Sequence, residues 1–133
     1  MSEPYVRESL KKWGVVVVEG MNDVIRLEEL GVAAVGLGSN KVTERQVEKI
    51  IRFAREVTNN RVTLFPDCDQ EGEAGFKELL WQLTAARITV GLAVSQATHQ
   101  GRFRDTQPED LKMDDLDLIT AEMLQFVNRE KLA

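Results

Sequence analysis

The sequence predicts an α/β fold, a four-stranded parallel sheet in the order 2-1-3-4 with helices on both faces. Two observations carry this. Strand-like and helical segments alternate strictly from Trp13 onward with short connections, the pattern left by crossovers onto a parallel sheet. The run Val15-Val16-Val17-Val18 is apolar at every position instead of alternating, as a strand covered on both faces must be.

The first strand, Val15 to Val18, closes on Glu19-Gly20. Asn22 to Leu30 follows as a helix with Val24, Ile25, Leu27 and Leu30 at helical spacing, and Gly31 stops it. Ala33 to Leu37 gives the second strand and Gly38-Ser39-Asn40 a turn. Thr43 caps a helix through Val57, with Gln46 as its capping-box partner and Val47, Ile50, Ile51 and Ala54 on the buried stripe. Asn59-Asn60 forms the exit loop. Val62 to Phe65 is the third strand, Glu71 to Ala86 the third helix and Ile88 to Val94 the fourth strand. Ser95 to Gln107 is polar and aperiodic, hence a loop, and Pro108 suits the first turn of a short helical segment ending at Lys112. Leu116 to Leu132 reads as an amphipathic helix with Leu116, Ile119, Met123, Leu124, Phe126 and Val127 on one side. The expected division is one domain over residues 1–112, core 13–95, and a C-terminal helix over residues 113–133 that packs on it or on a partner. Trp13 and Trp81 are read as core or sheet-flank packing.

With 133 residues, 43% of them hydrophobic, the chain closes one core and is short for two. The apolar run at Val15 falls far below the roughly 18–20 residues that span a bilayer, and the first residues lack a signal-peptide pattern. A soluble, cytoplasmic protein with no membrane partner is the expectation. Cys68 is the single cysteine, so no internal disulfide forms. The net charge of −5 sits in one place: residues 105–133 hold eight acids and three bases, whereas residues 1–104 hold fourteen of each. No globally basic face marks a strong nucleic-acid binder, so affinity of that kind has to be local or supplied by a metal or a partner.

The chemistry lies at strand ends. Glu19 closes the first strand, and Leu64-Phe65-Pro66-Asp67-Cys68-Asp69 closes the third. In an open parallel sheet, ligands bind beyond the carboxyl ends of the strands where the order changes direction, and the order 2-1-3-4 brings Glu19 beside Asp67 and Asp69 there. Converging carboxylates suit a hard divalent cation such as Mg²⁺, which keeps its other positions for water and phosphate oxygens. Asp67 and Asp69 also suit caps for the next helix. Asp23 and Glu71 fit either auxiliary ligands or first-turn helix acids. Gly20 and Gly72 let the backbone pass close and start the following helices. Gly38-Ser39-Asn40-Lys41 edges the same crevice and offers donors for a substrate phosphate, or is a plain turn. Arg102 and Arg104, with His99, form a basic cluster that can contact a nucleic-acid backbone or belong to a disordered loop.

At these residues the chain resembles the Toprim family, the catalytic domain of bacterial-type primases, type IA and II topoisomerases and small nucleases. The family pattern, a strand ending Glu-Gly and a later strand ending Asp-x-Asp, is met by Glu19-Gly20 and Asp67-Cys68-Asp69. Val17 to Asp23 and Gly31 to Gly38 resemble the primase type, whereas Asp67 to Glu73 resembles the topoisomerase IA form. The resemblance implies that Glu19, Asp67 and Asp69 gather Mg²⁺, with Mn²⁺ as a substitute, and that Asp23 and Glu71 lie nearby. It also implies that Glu19 acts as general acid or base on DNA, RNA or nucleoside triphosphates. Nucleotidyl transfer and nucleolytic cleavage both use such a cluster. The competing class is a non-catalytic module that keeps the metal and binds nucleic acid or a replication or repair protein. A topoisomerase is disfavoured because Tyr5, the only tyrosine, precedes the core. A phosphoacceptor receiver domain is disfavoured because Val94-Ser95-Gln96 brings no lysine to the late strand end.

Overall fold

The computed structural model describes residues 4–38, 43–66, 70–93, 110–121 and 124–126. In chain order the elements are α1 (Pro4–Trp13), β1 (Val15–Val18), α2 (Met21–Glu29), β2 (Ala34–Gly36), α3 (Glu44–Val57), β3 (Arg61–Leu64), α4 (Gln70–Ala85), β4 (Thr89–Leu92), α5 (Met113–Ala121) and β5 (Leu124–Phe126). β1 to β4 are mutually parallel in the predicted order 2-1-3-4. β5 lies antiparallel beside β4, with Val90 opposite Phe126, and makes a fifth strand.

The four valines of β1 are buried without exception, and the pleat divides them between two cores. Val16 and Val18 pack with Val24 and Leu27 of α2, Leu116 and Ile119 of α5, and with Trp13, Phe65 and Leu111. Val15 and Val17 join Val47, Ile50 and Ala54 of α3 and Phe76, Leu79 and Leu83 of α4. The sheet is therefore the middle of three layers. Arg26 donates from Nε to the Leu111 carbonyl at 2.8 Å, pinning the segment before α5 against α2.

Local chemistry ends the helices where the sequence marks them. Gly31, at φ +85°, is the C′ residue of α2. Its N–H bonds the Glu28 carbonyl while Val32 N–H bonds that of Leu27, the paired bonds of a Schellman stop. The α3 capping box forms as predicted, with Thr43 Oγ1 accepting from Gln46 N–H and Gln46 Oε1 from Thr43 N–H. Asn59 and Asn60 hold the left-handed region after α3, which asparagine tolerates better than most residues.

Several expectations change. α1 precedes the alternation that periodicity starts at Trp13. The C-terminal helix does not run from Leu116 to Leu132: α5 ends at Ala121, and Leu124–Phe126 is a strand. Pairing with the otherwise open edge of β4 outweighs the helical spacing of an apolar stretch that serves either period. α5 packs on the domain itself through Leu116 and Ile119. Trp81 is 58% exposed, and Ile25 51%, so neither belongs to the core. Among the described residues, no helix is long and apolar enough to cross a membrane.

α1 is joined to the sheet through its last carbonyls, which a helix leaves without internal partners. Gly14 N–H bonds the Leu10 carbonyl at 3.0 Å. Arg61 reaches from β3 with Nη1 to the Lys11 carbonyl at 2.7 Å and Nη2 to that of Lys12 at 2.8 Å. The buried Thr63 hydroxyl donates to the Trp13 carbonyl. Gly14 itself takes φ +75°, and a Cβ there would stand 2.6 Å from the Arg61 carbonyl oxygen. Gly14→Ala should therefore destabilise the chain by more than the roughly 1–2 kcal/mol of left-handed strain alone, read as a lowered urea midpoint.

Candidate functional site

β1 leads straight into the candidate site. Beyond its last valine, the ladder to the β2 side continues for two residues: Leu37 N–H bonds the Val18 carbonyl at 3.0 Å and Gly38 N–H bonds that of Glu19 at 2.8 Å. The Glu19 backbone is thereby held at the carboxyl end of the sheet, and Gly38, at φ +87°, is placed beside it. The Glu19 side chain is half-buried, with its Oε1 atom sealed from solvent. A carboxylate drawn out of water is stabilised by positive charge or by donors, so a cation fits this position.

Gly20 caps α2 in extended backbone, and its N–H donates to Asp23 Oδ2 at 3.4 Å. Asp23 is only 5% exposed. Its carboxylate thus braces the turn that carries Glu19. Gly36 at the end of β2 is a residue that periodicity treats only as strand. A Cβ there would lie 3.2 Å from Val24 Cγ2 and 3.5 Å from the Gly20 carbonyl oxygen, so β2 and the Glu19-Gly20 turn approach closely. A glycine inside a strand was the available signal.

On the other side, Phe65 N–H bonds the Val17 carbonyl at 2.9 Å, and Leu64 stands in register with Val17. The described chain then reaches Pro66, which is buried, and resumes at Gln70 in α4. Asp67 and Asp69 lie between these points, outside the described residues, as do Ser39, Asn40, Lys41, Arg102 and Arg104. Glu71 and Gly72 fall in the first turn of α4. Among the described residues, no three His, Cys, Asp or Glu side chains gather as a metal group. Glu19 and Asp23 are the two predicted acids whose side chains the structure places, and both belong to the end of β1 and the start of α2. A small cavity of about 120 Å³, walled by Leu64, Pro66, Phe76, Lys77, Leu80 and Leu92, opens where β3 and β4 end.

Two comparisons with known proteins bear on the family and the fold. A family model described as Toprim-like matches residues 16–101. No curated protein matches the sequence significantly. Among solved structures, the zinc-binding and RNA polymerase domains of the primase from Aquifex aeolicus superpose with a TM-score of 0.68 at 19% identity over 91% of this chain. The chain spans 28% of that primase chain, and at this identity the likeness is one of fold.

The carboxylate of Asp23 separates its two readings by experiment. As acceptor for the N–H of the cap residue Gly20 it contributes about 1 kcal/mol, so Asp23→Ala should lower the urea midpoint in EDTA buffer, with Asp23→Asn in between. A ligand with no structural role would leave metal-free stability unchanged or raised.

Proposed function

The chain belongs to the Toprim-like family, and from that premise we propose that it is a Mg²⁺-dependent domain of primase type acting on nucleic-acid phosphodiesters or nucleotides. The observation that carries this reading is the placement of Glu19. It is the first residue after a central strand buried on both faces, its Oε1 is sealed from solvent, and the neighbouring strand runs on toward Asp67.

In this reading Glu19, Asp67 and Asp69 hold the divalent cation, with Glu71 an auxiliary and Asp23 supporting through the Gly20 turn. When bound, the cation neutralises charge that develops on the phosphoryl oxygens. The protein's own part is positioning and proton movement. The carboxylate of Glu19, whose backbone is fixed by the bond from Gly38 N–H to its carbonyl, accepts a proton from the attacking hydroxyl or returns one to the leaving oxygen. Backbone N–H groups in the first turn of α2, beyond the one occupied by Asp23, lie at a helix N-terminus where phosphate oxygens are favoured. The same set serves nucleotidyl transfer and hydrolysis, so the attacking group decides between them. DNA, RNA and nucleoside triphosphates are the substrates to try, in a soluble protein.

Calorimetry with Mn²⁺ tests the metal set directly. Asp67→Asn combined with Asp69→Asn should remove most of the affinity and leave the fold intact, since it relieves carboxylate repulsion in the metal-free state. Activity with labelled oligonucleotides or triphosphates should require Mg²⁺ or Mn²⁺ and vanish in Glu19→Gln. Metal binding without turnover on any of these substrates would favour a non-catalytic module, and unchanged Mn²⁺ affinity in the double variant would sink the metal reading.

A further inference from the structure

The amino end of the sheet, opposite Glu19, carries a feature that this reading does not use. An open cleft of about 370 Å³ lies between α1 and the turn from α3 to β3, lined by Arg7, Leu10, Lys11, Val57, Asn59 and Arg61 together with Thr58. Three of its seven lining residues are cationic and none is acidic, in a chain whose acids outnumber its bases by 22 to 17.

The cations do not all have the same work. Arg61 is held by the Lys11 and Lys12 carbonyls, so its charge is fixed in place as part of the α1 attachment. Lys12, next to the cleft in sequence, lies over the Trp13 ring at 5.6 Å. Arg7 and Lys11 are exposed, one turn apart on the same face of α1, and neither has an ion-pair partner among the described residues. Between them and Asn59, Leu10 and the half-exposed Val57 supply an apolar floor.

We propose that this cleft holds the phosphates of a single-stranded nucleic acid. One anchored and two exposed cations around an apolar floor, with no acid among the lining residues, match a chain of phosphodiesters joined by less polar sugars and bases. An open cleft admits a continuous strand, whereas a mononucleotide would favour an enclosed pocket. The site contributes affinity for the strand, and it works without a metal. The inference rests on the nucleic-acid reading above, and with acids outnumbering bases in the sequence, strand affinity has to come from local patches such as this one.

The test measures fluorescence anisotropy of a labelled oligothymidine on the full chain in EDTA, which keeps the metal site out of the result. Arg7→Glu with Lys11→Glu should weaken binding at least tenfold, and Arg7→Gln with Lys11→Gln should reduce the slope of log affinity against log salt by about 1.4, roughly 0.7 for each phosphate contact on a single strand. Both residues are exposed, so the fold should persist, as circular dichroism would verify. Lys49→Glu with Arg52→Glu, an equal charge change on the exposed side of α3, should leave affinity within about threefold. Wild-type affinity in the Arg7/Lys11 variants, an equal loss in the α3 variant, no binding by the wild type in EDTA, or equally tight binding of polyglutamate would each overturn the proposal. Failure here with Mn²⁺ binding intact removes the cleft alone; loss of the metal set with the salt slope intact removes the metal reading alone.

Discussion

Four consecutive valines with no face toward water constrain everything else in this domain. A backbone buried in that way has to place its N–H and carbonyl groups in ladders on both edges, so β1 requires β2 on one side and β3 on the other. It also requires a helical layer above and below, because each pleat face presents two valines. Parallel neighbours then follow from the crossovers α2 and α3 that supply those layers. The carboxyl ends of three adjacent strands meet at one edge of the molecule.

That edge is where polarity first becomes affordable. Glu19 is the first charged residue after the buried run, and the backbone bonds from Leu37 and Gly38 carry the β2 ladder past the strand far enough to hold it. The glycine at position 36 keeps β2 close to the turn, and Asp23 braces the turn from the other side. The acid is therefore supported by neighbours whose own side chains are small or already bonded. On the function proposed above, such support would set the carboxylate's position before a substrate arrives.

Much of this could be read from residues alone, and the reasons differ by element. The strand order came from alternation, because short connections leave a parallel sheet few topologies. The Thr43–Gln46 box and the Gly31 stop were legible because they are local, each decided by atoms within five residues. α1 was missed although Pro4 at its first position is a helix-start signal; its support comes from Arg61 and Thr63, far along the chain. β5 was misread because a short apolar run has no period of its own, and only the exposed edge of β4 selects the strand. Trp81 illustrates the converse: its size suggested burial, but α4 turns that position away from the sheet. Of the candidate site, the position of Glu19 at the end of β1 was legible, and the fold adds the hydrogen bond from Gly20 N–H to Asp23.

The attachment of α1 bears on the order in which the chain acquires its structure. A ten-residue helix is marginal by itself in water, and three of the four bonds that satisfy its final carbonyls come from side chains on Arg61 and Thr63, some fifty positions downstream. Closing a chain segment of that length carries an entropic cost that grows only slowly with length, but it has to be met before those bonds exist. α1 is therefore expected to consolidate together with β3, and its amide protection should report on the central sheet more than on its own sequence.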